Sequence, residues 1–146
     1  MPALTWLRAL GCVVVAIAVA SIGLVAFAQT RAVYPQLDVR IPVPPRPLIG
    51  GGSTHLAYEL HITNLSPQAV TLNAVEVFDA VGARTLMMRL EGTALDAASR
   101  HAGPQPNAAE KRVLGGGQTM FVFVWVTLKS GPPSALTHRF DVQVAG

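Results

Sequence analysis

Alternation of apolar and polar side chains over residues 54–64 narrows the fold more than any other feature. Leu56, Tyr58, Leu60 and Ile62 fall on one face, and His55, Glu59, His61 and Thr63 on the other. A period of two with one polar face is the pattern of a half-buried β-strand. Asn64 to Gln68, with Ser66 and Pro67 between them, then reads as a turn. Residues 70–79 form a second strand in which Val70 and Leu72 keep one phase while Val75 and Val77 are displaced by one. That change of phase predicts a bulge near Asn73 and Ala74.

The remainder of the chain continues in short strands. A hairpin turn at 79–83, around Gly82, leads into a strand over 85–91. Residues 92–111, rich in Ala, Gly and Pro, read as a long loop with a helical turn at 94–99, and a short strand at 112–114 precedes Gly115, Gly116 and Gly117. Residues 118–128 are the densest in β-branched and aromatic side chains. Gly131, Pro132 and Pro133 break that strand, and residues 136–144 close the fold with Phe140, Val142 and Val144 inward and Arg139, Asp141 and Gln143 outward. Six or seven strands separated by Gly and Pro turns predict an all-β, antiparallel, Ig-like β-sandwich. Leu60, Ile62, Val77 and Phe140 are its expected core.

The first residues carry the mark of export. Arg8 is the one charge before an uncharged run over residues 9–30, and Ala26-Phe27-Ala28 supplies the small residues a signal peptidase needs. Residues 1–28 are therefore expected to be a signal peptide forming a hydrophobic helix, and the product periplasmic or secreted. The alternative is a retained inner-membrane anchor at 9–30, since a span needs roughly 20 apolar residues. Gly11, Ser21 and Gly23 dilute the run and favour cleavage. A lipoprotein reading of Cys12 fails because the apolar stretch follows the cysteine instead of preceding it.

Cys12 is the only cysteine, so the mature part has no disulfide and depends on burial for its stability. Residues 29–53, with Pro35, Pro42, Pro44, Pro45 and Pro47 and ending in Gly50-Gly51-Gly52, read as an extended Pro/Gly-rich segment with a short edge strand at 37–41. The sandwich domain is then 54–146. Eleven Lys and Arg against eight Asp and Glu are too balanced to imply nucleic acid, and membrane contact is expected only if the leader stays uncleaved.

No residue set points to catalysis, and no cofactor is expected. Glu59 and His61 share a strand face and have zinc-ligand chemistry. His55, six residues before His61, lies roughly 20 Å away at ~3.3 Å per residue, so Glu59 and His61 alone reach one ion and a solvated outer face is the plainer reading. Met87, Met88 and Met120 lack a histidine at the His-x-Met spacing of copper carriers and read as packing. Ser99, His101 and Asp96 could be drawn into a triad, but a Gly/Pro/Ala-rich loop does not hold a base rigidly. Asn64-Leu65-Ser66 matches a glycosylation acceptor, yet Pro67 follows and the turn reading is preferred.

The strand at 119–128 is apolar on both faces. Met120, Val122, Val124, Val126 and Leu128 make one face, and Phe121, Phe123 and Trp125 the other. A two-layer sandwich buries only one face of each sheet. Either the 92–111 loop or the Pro-rich segment covers the aromatic face, or another protein or domain does.

Residues 56–66, then Val70-Thr71-Leu72 and Val75 to Asp79, resemble the strand-turn-strand opening of bacterial Ig-like modules. Together with Gly115-Gly116-Gly117-Gln118, Phe121-Val122-Phe123-Val124-Trp125 and the stretch from Pro132 to Phe140, they are similar to the N-terminal region of secreted M23 (lysostaphin-like) zinc peptidase proteins, over about residues 54–144. That family's metal site uses His-x-x-x-Asp and His-x-His motifs in a later domain, and this chain has neither. The resemblance implies an exported non-catalytic accessory or interaction module associated with cell-wall peptidase function. A fragment or subunit of such a peptidase is the alternative, and a small exported metal-binding protein using Glu59 and His61 is a second.

Overall fold

The structure, a computed structural model, describes residues 36–81 and 84–145. The leader, its cleavage after Ala28 and the anchor at 9–30 lie outside the described residues. Nine strands and one short helix follow in order: β1 Leu37–Arg40, β2 Arg46–Gly50, β3 Ser53–Asn64, β4 Val70–Asp79, β5 Leu86–Glu91, α1 Gly92–Ala98, β6 Ser99–His101, β7 Val113–Leu114, β8 Thr119–Leu128 and β9 Leu136–Val144. All pairings are antiparallel. The result is an all-β architecture of two sheets.

In the first sheet β3 pairs with β8 along its length, β1 and β2 share the other edge of β3, and β6 flanks the start of β8. In the second, β4 is central. Residues Val70 and Thr71 pair with both β7 and β9, and Ala74 to Phe78 with both β5 and β9. It follows that β5 and β7 share one edge of β4 and β9 takes the other.

The period-two faces expected from the sequence meet in one core. Leu56, Tyr58, Leu60 and Ile62 of β3 pack with Met120, Val122, Val124 and Val126 of β8 and with Leu72, Val75 and Val77 of β4. Phe140 and Val142 pack against that core half-buried. Met120 is buried, and Met87 and Met88 pack at its margin, as the packing reading had it. The phase change in β4 is a register shift between Leu72 and Ala74 against β9, which lets Val70 and Leu72 on one side of it and Val75 and Val77 on the other all turn inward.

Two sequence expectations are corrected, the number of strands and the single loop at 92–111, while the turn at 64–68 is found where expected. The edge strand expected at 37–41 is β1, and a second strand that was not expected, β2, also adds to β3, so the described residues hold nine strands where six or seven were expected. Gly51 and Gly52, at φ +57° and +76°, supply the two left-handed residues that a tight hairpin between β2 and β3 requires. The stretch at 92–111 is not one loop: the helical turn expected at 94–99 is α1, with Leu95 fully buried as its anchor, and β6 follows at once. The turn at 64–68 is fastened from inside. Asn64 is fully buried; its Nδ2 donates to the carbonyls of Gln68 and Leu114, at 2.8 and 2.9 Å, and its Oδ1 accepts from the Ser66 amide and hydroxyl. Gly116 lies against this turn so closely that a Cβ there would meet the Ser66 carbonyl at 2.8 Å.

Candidate interaction surface

Strand β8 places its odd-numbered side chains on the outer face of the first sheet. Register with β3 sets Thr127 beside His55, Trp125 beside Ala57, Phe123 beside Glu59 and Phe121 beside His61. Pleating puts each of these pairs on one face. Trp125 is 57% and Phe123 47% exposed. Among the described residues, neither the 92–111 stretch nor the Pro-rich segment covers them. The former meets β8 edge-on, through β6, at Met120 to Val122. Phe121 differs, being half-buried beneath His61.

The aromatic rings are held by neighbours. The His55 ring lies 5.1 Å from that of Trp125, tilted by 41°. His55 is itself fixed, with Nδ1 at 3.0 Å from the Thr127 hydroxyl and Nε2 at 3.1 Å from the Gly50 carbonyl. Phe121 meets His61 edge-on at 4.6 Å. Between Phe123 and Trp125 the small Ala57 leaves a shallow depression of about 300 Å³, bounded also by Glu59. On the far side of β3, Leu48 pairs with His55 and is 47% exposed, so the apolar surface continues across three strands.

Glu59 and His61, the weak metal candidates, do come together: His61 Nε2 is 3.1 Å from Glu59 Oε2. No third His, Cys, Asp or Glu gathers with them among the described residues. The residues of the triad alternative are engaged elsewhere. The Ser99 hydroxyl donates to the Leu95 carbonyl at 2.7 Å, His101 Nε2 lies 2.9 Å from the Lys111 carbonyl, and Asp96 pairs with Arg112 at 3.1 Å. The chemistry this surface offers is aromatic and apolar contact area with polar groups at its border.

Two polar clusters elsewhere escape a reading of the sequence. Glu76, buried on the outer face of β4, accepts from Arg89 on β5 and Arg139 on β9, and Arg139 also lies over the Phe78 ring at 5.4 Å. The bond from Arg139 is the main reason the Glu76 carboxyl is held below the usual carboxylate range, with Arg89 adding to it against desolvation. Tyr58 and His138 meet inside the sandwich. Burial pushes the Tyr58 phenol up and the His138 imidazole down. The signal for Glu76 is a carboxylate placed between two valines that both turn inward, but its arginines lie 13 and 63 residues away.

Comparison with protein families, with curated proteins and with solved structures finds no match to this chain. These comparisons give nothing that links the chain to the N-terminal region of M23-type proteins.

Proposed function

We propose that this protein is an exported, non-catalytic module with an Ig-like β-sandwich, and that it works by presenting the Phe123–Trp125 surface to a partner polypeptide. The observation that carries this reading is the exposure of two large aromatic residues, 47% and 57%, side by side on a sheet face and braced by His55. Exposed aromatics grouped on one face are the composition of interface hot spots. The uncharged run at 9–30, with Ala26-Phe27-Ala28 near its end, supports export. The sequence resemblance implies that the module is associated with cell-wall peptidase function.

A photo-reactive amino acid in place of Trp125, introduced in the expressing cell, tests the reading. A defined crosslinked species should form from position 125 and not from exposed Gln143 on β9, and Phe123→Ala should diminish it. Equal labelling from both positions would show that the face has no special partner.

A further inference from the structure

For half its length, strand β8 is bonded on one side only. The Asn64 amide donates to the Gln118 carbonyl at 3.0 Å, and hydrogen bonding alternates along an antiparallel ladder. Even-numbered residues of β8 therefore turn their main chain toward β3, and odd-numbered residues turn theirs away. The Ala102 amide, which donates to the Thr119 carbonyl at 3.0 Å, agrees with this parity. Strand β6 occupies that outward side at Met120 to Val122 only. Beyond it, the amides and carbonyls of Phe123, Trp125 and Thr127 meet no strand and no other main-chain partner among the described residues.

Edge strands of monomeric proteins are guarded by charge, proline, bulges or shortness. This edge has none of these; α1 packs against β8 but bonds none of the three residues' main-chain groups. From Thr119 to Leu128 there is no charged residue, proline or glycine, and the ladder to β3 runs through all ten residues without a shift. The residues with free main-chain groups are also those with the exposed aromatic rings.

We infer that a second copy of this chain adds its own β8 to this edge, antiparallel, about a two-fold axis at Trp125. The inference rests on the reading of this surface as an interface and names its occupant. Val124-Trp125-Val126 reads the same in both directions, so the two-fold sets Trp125 against the partner's Trp125 and Val124 against the partner's Val126. Outward main-chain groups then meet outward main-chain groups, and a β-branched pair lies on the core side of the joined sheet. A two-fold also sets any charge near its axis against its own copy, and the first charge along this strand is Lys129, four residues from the axis. Phe123 falls opposite the partner's Thr127, and both aromatic faces end on the same side of one continuous sheet.

The test is made on protein recovered from cells expressing the full chain. Light scattering should give twice the mass of one chain, and Trp125→Lys and Phe123→Lys should each give a single chain with an unchanged circular dichroism spectrum. Amide exchange at Phe123, Trp125 and Thr127 should slow by at least about tenfold in the dimer relative to the Lys variants, because a paired amide must open before it exchanges. A dimer lost in Trp125→Lys but with these three amides unslowed would overturn edge pairing and leave the aromatic face as the interface. A single chain at all concentrations, with crosslinks still formed specifically from position 125, would overturn the second copy as occupant while the interface reading stands.

Discussion

Tyr58 on β3 and His138 on β9 join the two sheets through the interior, the Tyr58 hydroxyl lying 2.7 Å from His138 Nε2. With the imidazole held neutral by burial, the tautomer sets which of the two donates. The rings meet edge-on at 5.7 Å, and His138 stacks with Phe140 at 6.3 Å. This contact is a polar link across the core, and it carries a titration.

Its sign follows from the direction of the His138 shift. The imidazole pKa is lowered on folding from its ordinary 6.5, so the unfolded chain takes up the proton first. Stability from this group is full above about pH 6.5 and is lost progressively as pH falls through the lower folded value. The unfolding midpoint should drop between pH 7 and pH 5, and His138→Gln should remove most of that drop. An equal drop in the variant would assign the effect to other groups.

Glu76 should act in a more acidic window. Its carboxyl is held low chiefly by the bond from Arg139, so its contribution is present at neutral pH and is lost as pH falls through the folded value, below the usual carboxylate range. Glu76→Gln should lower the midpoint at pH 7 more than Arg89→Ala or Arg139→Ala alone, because it breaks both pairs together. In the Gln background, Arg139→Ala should add little. Full additivity of the two changes would mean that the pair is not coupled.

Asn64 is the buried fastening of the β3–β4 turn. Asn64→Ala would strand the Leu114 carbonyl, weaken that of Gln68 and free the Ser66 amide. At about 1–3 kcal/mol for each buried polar group left unpaired, a loss of roughly 3 kcal/mol is expected in chemical denaturation. Asn64→Asp keeps the acceptor but loses both donors, and should also destabilise. A loss below about 1 kcal/mol for both would show that the turn holds without its pin.

The faces of β3, β8 and β9 were legible because one side of each is buried, and alternation records that directly. The bulge in β4 was legible for the same reason, since Val75 and Val77 fall out of phase with Val70 and Leu72. Strand β2 was not: all five of its residues are exposed, so no alternation marks it, and Pro47 argues against a strand unless it lies at an edge. Strand β6 has three residues and exists because β8 offers it an edge. The pairs Tyr58 with His138 and Glu76 with Arg139 join residues 80 and 63 apart, a register that no local pattern carries. The aromatic face was readable as a problem of coverage. That the 92–111 stretch meets β8 at its edge instead of crossing its face follows from where α1 buries Leu95, a tertiary choice.

Trp125 separates a surface role from a structural one. At 57% exposure its truncation leaves no cavity, so Trp125→Ala should change the stability of the single chain by less than about 0.5 kcal/mol, as surface substitutions usually do. Leu60, fully buried, is the contrast, and Leu60→Ala should cost roughly 2–5 kcal/mol. If Trp125 is the anchor of the interface, its truncation should weaken association by on the order of 2 kcal/mol or more. The measurement pairs chemical denaturation at low protein concentration with sedimentation at high concentration. Loss of stability in Trp125→Ala comparable to Leu60→Ala would place the indole in the core, and would end the case for this face as a binding surface. Fluorescence gives an independent reading: in a Trp6→Phe background, emission from Trp125 should be quenched readily by iodide in the single chain and protected as the complex forms.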